Sequence, residues 1–399
     1  AVHDGGREAE TLTELTHFLD QHLRATRFLM DRCEWDLFLF DLMATDRIQH
    51  ELWHVADPSH RAARGRPELG SLREGWNAFW TRLDQGLGEI AGALPPDTAL
   101  VLLSDHGFGP IEWYLNFNTW LLERGDIALH DSFYVKQKHW CYRKGVTPEW
   151  LYGVMTRIGL ARQRVSRFRG KQKGILERVG ESVFLSRRHI DWSRTRAYAQ
   201  GNFGQIFLNL KGRQPQGCVS EADTRPLLED LKAGLLAMTH PETGEPLVER
   251  VFERDELYHG PHTHLAPDLT AVTRDWRCRT IGLHDFTTHK VVSPAFGPTG
   301  DHRMEGVLVA SGPAFRPGAM LQGATLLDIA PTLLHLLGLP IPSDMDGRVL
   351  TEILDSSQIP SSDGHTSYDS PTNGQPHGGA YSEEEEALIQ QRLADLGYL

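Results

Sequence analysis

The sequence predicts an α/β protein built on a mostly parallel sheet, and three observations carry that expectation. Short, strongly apolar runs, "WDLFLFDL" (35–42), "TALVLLS" (98–104) and "GVLVASGP" (306–313), have the composition of strands buried on both faces. They alternate with stretches whose apolar residues recur at helical spacing, the pattern of a helix-crossover sheet. Pro and Gly punctuate the joins.

In chain order, Leu12, Leu15, Phe18, Leu19 and Leu23 predict an amphipathic helix from Ala9 to Met30. The strand 35–42 follows, then a second helix from Leu72 to Leu94 stopped by Pro95 and Pro96, then the strand 98–104. Residues 126–190 are less regular, with a basic, Gly-containing middle, and are expected to form an insertion or cap. "TRAYAQ" (195–200), "GQIFLNL" (204–210), "PLVERVF" (246–252) and "APDLTAV" (266–272) read as strands, with a helix from Glu221 to Met238. "TLLDIAPTLLHLLGL" (325–339) reads as a helix ended by Gly338 and Pro340. Residues 355–379, rich in Ser, Gly, Asp and Pro, read as a flexible linker. Residues 380–399 read as a closing helix, capped by Ser382, with its acidic residues in the first turn where the helix dipole favours them.

Bulk composition narrows the function classes. The formal charge is −12 over 399 residues, which argues against general nucleic-acid affinity, because neutralising phosphates needs an excess of Lys and Arg. One local exception is "RIGLARQRVSRFRGKQK" (157–173), with seven basic residues and no acidic one. It is either a solvated face of the insertion or a landing site for an anionic substrate or lipid surface. No apolar run reaches the length of a membrane span. Cys33, Cys141, Cys218 and Cys278 are scattered without a C-x-x-C pair, which fits a reducing, cytoplasmic setting. The start, "AVHDGGREAE", has neither an initiator Met nor a signal-peptide core and reads as a cut.

Three segments place metal-type ligands beside predicted strand ends. In "MATDRIQHELWH" (43–54), Asp46 and His50 stand four residues apart and so share one helical face. In "VLLSDHGFG" (101–109), Asp105 and His106 leave a strand directly, and Gly107 and Gly109 let the backbone turn. In "GDHRMEGVLVASG" (300–312), His302 shortly precedes another strand. A D-x-x-x-H pair alone is more often a solvent-facing polar pair, but an Asp-His pair at a strand exit is costly unless something binds its charge. In open α/β sheets, ligands bind beyond the carboxyl ends of the strands, where the first two segments should lie. Carboxylates and imidazoles without Cys suit Zn, Mn or Fe better than Ca or Mg. Five such ligands exceed one tetrahedral ion with an open position, so two divalent ions are expected, able to clamp both oxygens of a displacement at phosphorus.

"TDRIQHELW", "VLLSDHGFGP", "GDHRMEGVLVASGP", "LLDIAPTLLHLLGLPIPSDMDGRVL" and the closing "SEEEEALIQQRLADLGYL" resemble, in order and spacing, the signature blocks of the alkaline phosphatase superfamily. The likeness is to the branch of type I phosphodiesterases, nucleotide pyrophosphatases and predicted phosphohydrolases or phosphomutases, along nearly the whole chain. It implies a three-layer α/β/α fold with a mostly parallel central sheet and a metal-dependent phosphohydrolase acting on small phosphate esters. It also implies that Asp46, His50 and His302 hold one metal, usually zinc with manganese the other candidate, and that Asp105 and His106 hold the second. The family completes its site with an Asp on the first strand and a Thr or Ser nucleophile on the next helix. Residues 1–32 offer neither, so 1–354 is expected to be a catalytic domain missing its N-terminal strand or strands and its nucleophile.

Other candidates were weighed on chemistry. Thr45 adjoins Asp46, but a hydroxyl needs a metal or a base to attack. His54 continues the four-residue spacing yet lies about 6 Å further along the helix axis, which favours a core or surface role. His259, His262 and His264 suggest metal only by count, and loop histidines are more often surface residues. Asp301 is a candidate acceptor orienting His302, and Asn116 and Asn118 are candidates to face the cleft, with helix capping the rival role for at least one of them. The rival functions are a phosphomutase or phosphotransferase of the same superfamily and a non-catalytic metal-binding module. A sulfatase is disfavoured because no Cys lies in a C-x-P-x-R context.

Overall fold

The computed structural model describes residues 8–157, 184–282, 286–355, 357 and 367–368. Residues 158–173 of the basic run and the expected helix 380–399 lie outside these, as does nearly all of the expected linker 355–379.

Three helices open the chain: α1 (Glu8–Arg32), α2 (Ala44–Ala56) and α3 (Leu69–Ala93). Their apolar stripes, Leu12, Leu19 and Leu23 on α1, Ile48, Leu52 and Val55 on α2, and Trp76, Phe79 and Ile90 on α3, close into one core. Between α1 and α2, residues 35–42 form no regular element, and no strand pairs with them among the described residues. Leu39 is 84% exposed and Leu37 is 54% exposed. This corrects the expected strand, since an apolar run becomes one only where its backbone groups find a ladder partner.

Thirteen short strands form five small sheets among the described residues. β1 (Leu100–Leu103) pairs antiparallel with β11 (Leu308–Ser311), and β2 (Gly107–Pro110) antiparallel with β10 (Gly300–Arg303). β3 (Trp113–Asn116) lies between β8 (Cys278–Ile281), which is parallel to it, and β9 (Val292–Pro294), which is antiparallel. The largest sheet, ordered β4-β5-β7-β6, joins β4 (Ala197–Ala199), β5 (Gln205–Leu208), β6 (Val248–Glu253) and β7 (Leu269–Thr273), all antiparallel. β12 (Ile341–Pro342) and β13 (Ser367–Tyr368) form a short parallel pair. The fold is therefore mixed α/β, while the described ladders are mostly antiparallel rather than mostly parallel. Short apolar runs cannot report strand direction, because burial on both faces leaves the same composition either way.

Of four further helices, α4 (Phe117–Arg124), α5 (Phe133–Arg143), α6 (Pro148–Arg157) and α7 (Glu221–Leu236), α4 and α7 pack on the four-stranded sheet, and α5 reaches the same core through Tyr142. Leu115, Leu121, Tyr142, Ile190, Ile206, Leu231 and Leu269 share one core there, so parts of 126–190 pack into the same interior as the strands. The expected helix 325–339 is shorter, a 3-10 turn at Leu326–Asp328 followed by α8 (Ile329–Leu336). No described helix is long and apolar enough to cross a membrane.

What positions the site is the seam between α2 and the β2–β10 ladder. The Thr299 N–H donates to the carbonyl of His50 at 2.7 Å. A Cβ on Gly300 would sit 2.3 Å from the Gln49 carbonyl oxygen, so only glycine lets strand and helix approach this closely.

Candidate metal centre

Asp46 lies in the first turn of α2, where the helix dipole favours a carboxylate. One turn later on the same face is His50. The β2–β10 register sets His302 opposite Phe108 and brings it beside His106, which immediately precedes β2.

These elements converge on one carboxylate oxygen. Asp46 Oδ1 lies 3.4 Å from Nε2 of His50, 3.5 Å from Nε2 of His302 and 3.9 Å from Nε2 of His106. The His50 and His302 Nε2 atoms are 3.1 Å apart, and the His106 and His302 rings stack with centroids 3.6 Å apart. Ligand atoms of Asp46, His106 and His302 all lie within 4.8 Å of one another, as do those of His50, Asp301 and His302.

Hydrogen bonds around the rim set the imidazole tautomers. Nδ1–H of His50 donates to the Gly300 carbonyl at 2.9 Å, and Nδ1–H of His106 donates to the Gly107 carbonyl at 3.0 Å. In the neutral rings, both Nε2 atoms then present lone pairs toward Asp46. Burial lowers the His50 pKa, outweighing the raising effects of the Gly300 carbonyl and Asp46. Burial pushes the Asp46 carboxyl up, but hydrogen bonding to His302 and the neighbouring His50 and Arg47 hold it below its ordinary value. The arrangement is an anionic oxygen with imidazole lone pairs around it. Tetrahedral zinc with bonds near 2.0–2.1 Å would separate neighbouring ligand atoms by about 3.3 Å, close to the spacing among Asp46, His50 and His302. The donor set fits a divalent metal.

Asp105 stands apart. It is 80% exposed, its Oδ2 is 3.4 Å from His106 Nε2, and its Oδ1 accepts the His106 backbone N–H at 3.1 Å. Asp301 is half-buried and ion-paired with Arg279 at 3.1 Å. Two candidates for the cleft are engaged elsewhere. The Asn116 amide donates to the carbonyl of Lys290 and the hydroxyl of Ser293. The Asn118 amide bridges Ala199 and Gly282. Although Asn116 is the N-cap residue of α4, its side chain makes no capping bond there. The Thr45 hydroxyl donates to the Leu42 carbonyl. His54 is fully buried between Glu8 and Thr299, and His259, His262 and His264 are exposed.

Sequence reasoning missed the aromatic wall. Phe108 meets His50 edge-on with centroids 4.8 Å apart, lies 5.4 Å from His302 and 5.5 Å from His106, and stacks on Trp53. The available signal was its place between two glycines in "HGFG", where the backbone crowds the cluster. Arg279 and Arg303 were also missed. Arg303 folds back onto the carbonyls of His302 and Pro110.

A family model described as type I phosphodiesterase / nucleotide pyrophosphatase matches residues 7–280. The 2,3-bisphosphoglycerate-independent phosphoglycerate mutase of Laribacter hongkongensis is 59% identical over 39 residues, 10% of this chain and 8% of that protein. The protein of the same description from Cereibacter sphaeroides is 52% identical over 46 residues, 12% of this chain and 8% of its own length. The chain thus spans only a small part of the length of these relatives. No solved structure matches.

Proposed function

As the chain belongs to the type I phosphodiesterase and nucleotide pyrophosphatase family, in the alkaline phosphatase superfamily, we propose that it is a metal-dependent phosphohydrolase acting on small phosphate esters. Asp46, His50 and His302 would hold one divalent ion, zinc first and manganese second, and His106 with Asp105 would hold another. The three-layer α/β/α arrangement of the superfamily, with 126–190 as an insertion and 380–399 as a closing helix, belongs to the same reading. So does a cytoplasmic location, which the four free thiols of Cys33, Cys141, Cys218 and Cys278 suit.

The observation that supports the reading is the approach of three imidazole Nε2 atoms to Asp46 Oδ1 at 3.4–3.9 Å. Divalent ions bound there supply Lewis-acid polarisation of the phosphoryl oxygens and lower the pKa of an attacking hydroxyl. The protein's own part is positional. The Gly300 and Gly107 carbonyls fix two ring tautomers, Asp46 stays ionised, Arg279 holds Asp301 beside the cluster, and the Phe108–Trp53 wall excludes water from one side. The reading names no nucleophile in this chain.

A phosphomutase or phosphotransferase is the second reading, favoured by the short likenesses to phosphoglycerate mutases. The test is metal content per chain together with hydrolysis of aryl phosphate mono- and diesters, for the protein and for Asp46→Ala and His302→Ala. Bound transition metal that both variants lose supports a metal centre. Transfer to water, giving inorganic phosphate from the monoester or a phosphomonoester and the free phenol from the diester, favours the hydrolase, and transfer to an added alcohol favours the transferase. A protein that binds metal but turns over neither ester would be a binding module, and one that binds no transition metal would end the proposal.

A further inference from the structure

Helix α5 buries a lysine and exposes large aromatics. Its inward face, Val135, Lys138 and Tyr142, contains a lysine that is only 6% exposed and whose Nζ donates to the Phe184 carbonyl at 3.2 Å. Its outward residues include Phe133, 84% exposed, and Trp140, 62% exposed, one heptad apart and so on one side of the helix. Tyr134 is also exposed, its ring 4.5 Å from the Lys138 Nζ. An ordinary surface helix buries its large aromatics and exposes its lysines, a pattern that Tyr142 and Lys136 follow and that Phe133, Trp140 and Lys138 break.

The charge on this side is also reversed. Lys136, Arg143 and Lys144 are exposed on or just after α5, in a chain whose net charge is −12. Beside them lies a cavity of about 310 Å³ whose wall includes His130, Lys136, His139 and Arg194. Its one acid, Asp131, is already paired with Lys136 at 2.5 Å.

Exposed Trp, Tyr and Phe interleaved with Lys and Arg match the interface of an anionic bilayer, where aromatic rings seat at head-group depth and cations meet the negative leaflet. A water-facing role explains the lysines but not the aromatics, and a purely apolar partner explains the aromatics but not the lysines. We propose that the outward face of α5 docks on an anionic membrane surface, with the neighbouring cavity receiving a lipid phosphate. This goes beyond the proposed activity and does not depend on it.

Co-sedimentation of the full chain with vesicles tests the proposal. Vesicles of phosphatidylcholine alone are compared with an equimolar mixture of phosphatidylcholine and phosphatidylglycerol. Binding to the mixed vesicles only, weakened by added salt, is expected. Phe133→Ser with Trp140→Ser should lower it by about ten-fold or more, and Arg143→Glu with Lys144→Glu by a similar factor. Both pairs are exposed, and unchanged melting temperatures would show that the fold survives. The proposal is overturned by no vesicle binding, by equal binding to both vesicle types, or by binding that both double variants retain. Binding of inorganic phosphate without vesicle binding would overturn it too, as would a dimer that buries Trp140 and leaves vesicles untouched.

Discussion

The Nε2 atoms of His50 and His302 stand 3.1 Å apart although 252 residues separate them along the chain. The Nδ1–H of His50 is committed to Gly300, so its Nε2 faces His302 as a lone pair. Two such nitrogens settle together only if one donates a proton or a cation stands between them. This pair, with Asp46 beside it, is where the metal reading is most directly tested.

Zinc should therefore stabilise the fold. At a free concentration 100 times its Kd, linkage gives about 2.7 kcal/mol, a rise of several degrees in melting temperature over the chelated protein. Asp46→Ala should abolish that rise, read by differential scanning fluorimetry with and without a chelator. A melting temperature indifferent to zinc in the unsubstituted protein would contradict the ligand assignment.

Phe108 touches three imidazoles without ligating anything. Phe108→Ala should lower zinc affinity roughly 10- to 100-fold, the range seen when groups that orient ligands are lost. The ring is half-buried, so the stability cost should fall below the 3–5 kcal/mol of a fully buried Phe→Ala change. Titration calorimetry and urea unfolding separate the two effects. Phe108→Leu should recover part of the affinity.

Glu8 anchors α1 to the site's support. It accepts two bonds from Arg66, at 2.8 and 2.9 Å, and meets His54 Nε2 at 3.0 Å, while His54 Nδ1 meets the Thr299 hydroxyl. Burial pushes the Glu8 carboxyl up, but His54 and Arg66 bring its pKa down from the ordinary 4.5 to about 2. A depressed carboxylate adds stability that is fully present above its unfolded pKa and lost as pH falls through its folded one. The loss should thus run from about pH 4.5 down to about pH 2 and total about 3 kcal/mol. Urea midpoints measured at pH 7, 4 and 3 should fall steeply for the protein and more gently for Glu8→Gln.

Gly300→Ala would drive a Cβ to within 2.3 Å of the Gln49 carbonyl oxygen and 3.0 Å of the Trp53 Cβ. The α2–β10 seam must then open, at a cost of about 1–3 kcal/mol. Zinc affinity should fall with it, because Gly300 also accepts the His50 Nδ1–H. Unchanged metal binding in a folded Gly300→Ala protein would show that the seam does not position the ligands.

Much of this arrangement was legible in the residues. The spacing of Asp46 and His50 on one helical face, and the exit of His106 from an apolar run, are local facts that one stretch of sequence carries. That His302 would meet them was suggested by its place beside a predicted strand and by the family likeness, but the contact itself depends on the β2–β10 ladder. Asp105 reads as a ligand because it adjoins His106, and its Oδ2 does lie 3.4 Å from His106 Nε2, although the Asp105 side chain is largely exposed. Asn116 and Asn118 are polar residues shortly after the Asp-His pair, but a buried amide must satisfy its own hydrogen bonds, and nearby backbone carbonyls do so first. The helices expected at 9–30, 72–94 and 221–238 were read to within a few residues, because 3.6-residue periodicity is intrinsic to the segment, whereas α4, α5 and α6 were not anticipated. The sheet was not, because pairing direction belongs to the partners.

The stretch 35–42 has a consequence for how the protein is handled. It pairs with no strand among the described residues, and with its bare Leu37 and Leu39 it is a template on which copies can stack into cross-β aggregates. Asp36 and Asp41 bracket those leucines as gatekeepers whose like charges repel a second copy. Salt that screens them removes the guard. Preparations kept at modest ionic strength should stay clear longest, while Asp36→Asn with Asp41→Asn should cloud first.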